Sequence, residues 1–273
     1  MGKPDFWQCC FCRVTVKAAG SYQKKELTAK RGKKQIYGVV YIPQGNKKCM
    51  PTVIYSHGFG GSYESGENYA KALAKEGYVV YCFDFCGGSE DSRSDGSALD
   101  MSVFTDQKDL EAVIKMLKKQ AFVDKNNIFL LGSSQGGFVS AITAADHADG
   151  IRGMILLYPA FVLVDDAKGQ FDSVSEISDQ MFYKWMTVGK AYFKDILDYD
   201  VYSQIKKYKK RVLIIHGDAD DIVPLSYSKK VVSVYKKADL KVIKGAGHVF
   251  YGKEERSAKN YMLDYLADQV NRR

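Results

Sequence analysis

The chain has 273 residues, 46% hydrophobic and 26% charged, which suits one large globular α/β domain of a soluble enzyme. Its net charge of +8 is concentrated in the first 48 residues, where eleven Lys and Arg face only Asp5 and Glu26; a solvated first hairpin accounts for this better than a nucleic-acid face, for which no motif is present. There is no apolar run of about 18 residues and no secretory leader pattern, which reads as a cytoplasmic protein that does not enter a membrane.

Residues 26–30 and 34–42 predict two strands joined by a Lys-Arg-Gly turn. A buried strand follows at 52–56 and runs into His57-Gly58-Phe59-Gly60-Gly61, a glycine loop able to aim a backbone amide at a developing oxyanion. A helix over 68–76 is closed by Gly77, and a strand follows at 79–83. Thr105 or Ser102 caps a helix to 119, whose Leu110, Val113, Ile114 and Leu117 share one face. The strand 127–131 enters Gly132-Ser133-Ser134-Gln135-Gly136, and a helix covers 137–145. Further strands fall at 153–157, 211–215 and 240–243, with helices at 225–235 and 254–270. Strands alternating with helices give a mostly parallel central sheet flanked by helices on both faces.

The G-x-S-x-G corner between a strand and a helix is a nucleophile elbow, and its spacing selects Ser134, leaving Ser133 to packing. A serine hydroxyl needs a base to take its proton and an acid to orient that base. Of the four histidines, His57 heads the oxyanion loop, His147 is carried away by the helix after the elbow, and His216 ends a strand. His248, on the loop Lys244-Gly245-Ala246-Gly247-His248, is the base. Between serine and histidine, His216-Gly217-Asp218-Ala219-Asp220-Asp221-Ile222-Val223-Pro224 offers three carboxylates. Asp220 is assigned to hold the imidazole, with Asp218 and Asp221 as turn formers bonding their own backbone. The amides of Phe59 and Gln135 are the oxyanion donors, the latter at the positive end of a helix.

Between Pro159 and Ile205 the strand–helix rhythm breaks into a segment rich in aromatics, among them Phe161, Phe171, Phe182, Tyr183, Trp185, Tyr192 and Phe193. Placed after a central strand it lies over the carboxyl ends of the sheet, where ligands bind, and is read as a small inserted lid. The expected organisation is therefore a tail over 1–20, a core over 21–158, the lid over 159–205 and the rest of the core over 206–273. The six cysteines are not spaced as a disulfide framework. Cys82 and Cys86 read as small buried residues, no zinc or other metal site is expected, and the tail with Cys9, Cys10 and Cys12 packs on the domain or at a homodimer contact.

These motifs, with Phe83-Asp84-Phe85-Cys86-Gly87-Gly88-Ser89 and Tyr158-Pro159-Ala160, give the chain from Glu26 to Val270 a resemblance to the α/β-hydrolases. Within them it is similar to the bacterial cinnamoyl or feruloyl esterases. The resemblance implies a cofactor-free serine carboxylesterase acting on a small-molecule hydroxycinnamate ester through an acyl-enzyme. It also implies that polar lid residues, here Asp166 and Tyr192 with Asp165 as rival, grip the ring hydroxyl of the phenolic acid. Two other readings share the motifs: an acyl-peptide hydrolase or peptidase, which usually carries a large additional domain, and a ligand-binding relative without turnover.

Overall fold

A computed structural model describes residues 18–45 and 49–272, so the tail with Cys9, Cys10 and Cys12 lies outside the described residues. The lysine-rich start, expected as two strands, forms four: β1 (Tyr22–Glu26), β2 (Ala29–Arg31), β3 (Lys34–Ile36) and β4 (Gly38–Pro43). β1 pairs antiparallel with β4, while β2 and β3 make a separate ribbon. The chain breaks there around Tyr81, whose hydroxyl donates to Leu27 O at 2.6 Å and whose ring leaves no room for a Cβ at Gly38. Lys24 and Lys25 are exposed on β1, so this part of the basic surplus is solvated.

The main sheet continues with β5 (Met50–Ser56), β6 (Val79–Phe83), β7 (Val123–Ser133) and β8 (Gly153–Leu157). A small hairpin, β9 (Gln180–Tyr183) and β10 (Met186–Gly189), stands apart before β11 (Val212–Gly217) and β12 (Ala238–Ile243) complete the sheet. The eight strands lie in the order β1-β4-β6-β5-β7-β8-β11-β12. From β6 to β12 neighbouring strands are parallel, so every loop leaving a carboxyl end opens on the same rim.

Both faces are covered. Ile128 and Leu130 of β7 point into one core with α2 (Val103–Leu117) and α3 (Gln135–Asp146), represented by Leu110, Val113 and Phe138. Phe129 and Leu131 point to the other, against Leu73 of α1 (Glu67–Lys75) and Leu266 of the last helix. Burying each such side chain contributes about 1.5–3 kcal/mol. Ser102 and Thr105 both take part at the start of α2, as a reciprocal capping box: Ser102 Oγ accepts from Thr105 N at 3.3 Å and Thr105 Oγ1 from Ser102 N at 2.8 Å. Cys82 and Cys86 are buried, and burial pushes the Cys86 thiol up to about 12, with Asp109 adding to the effect.

Between β8 and β11 the chain forms α4 (Leu163–Gln170), the β9–β10 hairpin, α5 (Ala191–Lys194) and α6 (Val201–Ile205). Its aromatics divide: Phe161, Tyr192 and Phe193 are buried, whereas Phe182 of β9 and Trp185 at the hairpin tip are 69% and 54% exposed. The fold is completed by α7 (Leu225–Val234) and α8 (Gly252–Asn271). No helix among the described residues is long and apolar enough to cross a membrane.

Candidate active site

β7 leads directly into Ser134, whose backbone is held at φ +51°. An L-residue there costs on the order of 1–3 kcal/mol, so the surroundings must enforce it. Ser134 N donates to Leu157 O at 2.9 Å, and Ser134 O accepts from Gly137 N at 2.9 Å and Ala160 N at 3.0 Å. The flanking glycines are a steric need: a Cβ at Gly132 would overlap the Gly136 carbonyl, and one at Gly136 the Ser56 carbonyl. Ser133 Oγ is bonded to Tyr55 Oη at 2.9 Å.

His248 reaches over from the loop after β12. Its Nε2 lies 2.9 Å from Ser134 Oγ and its Nδ1 2.8 Å from Asp220 Oδ2. An ionised carboxylate only accepts, so the proton is assigned to Nδ1 and Nε2 is left to take the serine proton. The ring packs on Tyr158, centroids 4.7 Å apart. Asp220 Oδ1 accepts from Ile222 N at 3.0 Å and Val223 N at 2.8 Å, so Asp220 itself forms the turn after β11. Burial works to raise its carboxyl, but hydrogen bonds from His216, His248 and Val223 outweigh that and hold it well below the usual carboxylate range.

Of the neighbouring acids, Asp218 differs from expectation. Asp218 Oδ1 accepts from Gly245 N at 2.5 Å, tying the His248 loop to the Asp220 loop and bonding no backbone of its own turn. Asp221 is exposed. His216, read as structural from its place at a strand end, buttresses the acid. It is fully buried, and its Nε2 sits 3.0 Å from Asp220 Oδ2 and 2.9 Å from Val223 O. Two acceptors require Nε2–H, and Nδ1 completes the link to Ser228 Oγ at 2.6 Å. The four-residue spacing within the motif was the available signal. His147 ends α3 and bonds Glu111 at 2.8 Å, away from the rim.

The loop after β5 lies against Ser134, close enough that a Cβ on Gly58 would sit 3.1 Å from Ser134 Cβ. Gly60 N donates to Gly88 O at 3.1 Å and Gly61 N to Gly58 O at 3.0 Å, while among the described residues no acceptor takes the N–H of Phe59 or Gln135. The root of this loop is His57, 1% exposed, whose Nε2 accepts from Phe85 N at 3.0 Å and whose Nδ1–H donates to Gly58 O at 2.7 Å. Burial pushes this imidazole below its ordinary value, against the opposing pull of Gly58 O and Asp84. The unfolded chain therefore binds more protons once pH falls below about 6.5, and stability present above that pH is lost below it, at up to about 1.4 kcal/mol per pH unit. His57→Gln, which keeps a donor and an acceptor, should reduce the stability difference between pH 7.5 and 5.5 by on the order of 1 kcal/mol in urea unfolding. An unchanged difference would show that His57 titrates alike in both states.

Above Ser134 opens a cavity of about 690 Å³, walled by Phe59, Leu163, Asp166, Tyr183, Trp185 and Tyr192 on the side of the segment after β8. Asp166 faces it and accepts from Tyr183 Oη at 2.9 Å. Its rival Asp165 is exposed, outside the cavity lining, and accepts from Tyr227 Oη at 2.8 Å. Tyr192 is fully buried, and its hydroxyl donates to Gln135 Oε1 at 2.7 Å, so the phenol beside Asp166 is Tyr183. Nothing in the sequence distinguished Tyr183 from the other aromatics of its segment. Among the described residues no group of three or more His, Cys, Asp or Glu is placed to hold a metal ion.

A mostly parallel sheet, sheathed by helices and carrying serine, acid and histidine on strand-end loops of one rim, defines an α/β-hydrolase. The match to the prolyl oligopeptidase family runs over residues 65–273, and the chain belongs to that family of serine hydrolases. It is 25% identical over 262 residues to the uncharacterized protein YfhR of Escherichia coli (strain K12), covering 92% of this chain and 82% of the relative. With the monoacylglycerol lipase ABHD6 of Rattus norvegicus it shares 22% over 279 residues, 86% of this chain and 81% of the lipase. The structure of Est1E from Butyrivibrio proteoclasticus with ferulic acid bound superposes with a TM-score of 0.80 at 26% identity, covering 88% of this chain and 99% of that one.

Proposed function

We propose that the protein is a serine carboxylesterase cleaving hydroxycinnamate esters, such as feruloyl or caffeoyl esters, through an acyl-enzyme and without a cofactor. The observation that carries this reading is the hydrogen-bonded line Ser134–His248–Asp220, 2.9 and 2.8 Å, opening onto an aromatic cavity that holds the carboxylate of Asp166. Likeness to Est1E, with its bound ferulic acid, supports the acyl group chosen.

In this reading Ser134 Oγ attacks the ester carbonyl as its proton passes to His248 Nε2, and Asp220 stabilises the imidazolium at Nδ1–H. The carbonyl oxygen becomes an oxyanion facing the N–H groups of Phe59 and Gln135, donors typically worth about 3–4 kcal/mol each. Collapse expels the alcohol, which takes the proton from His248. Water then attacks the acyl-enzyme by the same route, its proton passing through His248 to Ser134 as the acid leaves. Residues 159–205 serve as a lid over a core made of 21–158 and 206–273.

Asp166 accepts the ring hydroxyl of the acyl group. Asp166→Ala should weaken kcat/KM for methyl ferulate by about 1–3 kcal/mol, the cost of a buried hydroxyl left unpaired, and leave p-nitrophenyl butyrate nearly unaffected. Equal losses on both substrates would reduce the assignment to a plain carboxylesterase.

Membership in the prolyl oligopeptidase family favours a second reading, cleavage of an amide or peptide bond by the same groups. Comparing kcat/KM for methyl ferulate, p-nitrophenyl butyrate and alanine p-nitroanilide separates the two. The esterase reading expects the ferulate to lead, and a leading anilide would replace it with the peptidase.

A further inference from the structure

Phe59 and Gln135, the residues whose amides face the oxyanion in the proposed mechanism, both have side chains that end on Tyr192. The Phe59 ring lies 5.4 Å from the Tyr192 ring, and Tyr192 Oη donates to Gln135 Oε1 at 2.7 Å. The other end of the Gln135 amide is fixed as well, its Nε2 donating to Asp106 Oδ2 at 2.9 Å. Asp106 and Tyr192 are wholly buried and Gln135 is 2% exposed. Tyr183 and Trp185 close the ring of aromatics around Phe59, at 5.6 and 5.5 Å. None of the proton transfers at Ser134 uses the Tyr192 hydroxyl or Asp106.

We infer that Tyr192, backed by Asp106 through Gln135, is a positioning residue that sets the two amides of the oxyanion hole. The inference rests on the serine-esterase reading but not on the hydroxycinnamate acyl group.

The physical need is clear at Gln135. It is the first residue of α3, so its N–H has no partner within the helix. The peptide plane that carries it is held on one side by the bonds to Ser134 O, and the anchored Gln135 side chain steadies the Cα on the other. Oxyanion stabilisation depends on donors aimed in advance, and a misplacement of about 1 Å can cost on the order of 10²-fold in rate. Tyr192 comes from the segment between β8 and β11, so the cavity roof and the oxyanion hole are one packed unit. Burial, with Asp109 nearby, pushes the Asp106 carboxyl well above its usual range, so a neutral amide is its conservative replacement.

The test uses the full chain with Tyr192→Phe, Asp106→Leu and Asp106→Asn, assayed on p-nitrophenyl butyrate and methyl ferulate. Inhibition by butylboronic acid, which forms a tetrahedral serine adduct, is compared with inhibition by free ferulate. Tyr192→Phe should lower kcat about 10- to 100-fold on both esters with KM little changed, given the cost of a misaimed donor. The boronate constant should rise in step while the ferulate constant stays. Asp106→Leu should lose a comparable factor and Asp106→Asn, which keeps an acceptor, should recover most of it. A loss confined to methyl ferulate and expressed in KM would overturn the inference and give Tyr192 the ring hydroxyl. Reduced thermal stability with unaltered kcat would overturn it too, leaving Tyr192 a packing residue. A wild-type protein inert on both esters sinks the esterase reading itself, a result distinct from an active wild type matched by Tyr192→Phe.

Discussion

Ser134→Ala is expected to lower kcat about 10⁴- to 10⁶-fold while leaving the fold intact, the range typical of a lost nucleophile. The fold should tolerate the change because the backbone bonds from Ser134 to Leu157, Gly137 and Ala160 do not involve the hydroxyl. Alanine even removes a polar atom from a strained corner. The adjacent Ser133→Ala should cost far less, since Ser133 Oγ only bonds Tyr55 Oη. Burst titration with p-nitrophenyl acetate, alongside circular dichroism, measures both. Abolished turnover in folded Ser133→Ala with an active Ser134→Ala would place the nucleophile one residue earlier.

Asp220→Asn is expected to cost on the order of 10⁴ in kcat, because an amide beside Nδ1 favours the wrong imidazole tautomer. Two rings feel the change here. His216 and His248 both present N–H groups to Asp220 Oδ2, so an amide nitrogen turned toward them meets donors only. Asp218→Asn and Asp221→Asn are the controls, since Asp218 bonds a backbone amide and Asp221 is exposed. A mild effect at Asp220 with a severe one at either control would move the acid to that residue.

The elements that carry chemistry were legible in the sequence because each is local. Gly132 to Gly136 announces its corner through small residues that contact geometry demands. The run from His216 to Pro224 announces its turn by spacing. What stayed hidden depends on partners distant in the chain. Asp218 reads as a turn former until Gly245 is brought beside it, 27 positions away. Tyr192 and Gln135 are separated by 57 positions, and no periodicity links them. β7 begins at Val123, earlier than its apolar stretch, because Lys125, Asn126 and Asn127 mask a segment that pairs with β5 through a register shift. The opening strands broke where Tyr81, from a different strand, intrudes between them. Asp166 was preferred to Asp165 through the resemblance alone, since only the turn of α4 decides which one faces inward.

The line from Ser134 to His248 spans 114 positions, and the strands bearing its three members, β7, β11 and β12, are recruited across β8 from widely separated parts of the chain. Long-range parallel pairing is slow, since loop closure must precede any contact that rewards it. Ser134 and His248 therefore meet only once β12 has docked. His248 follows β12 in the chain, so a chain that stops before β12 has no imidazole to set beside Ser134. On the proposed mechanism, the hydrogen-bonded line is therefore a product of the whole sheet and of no shorter piece of it.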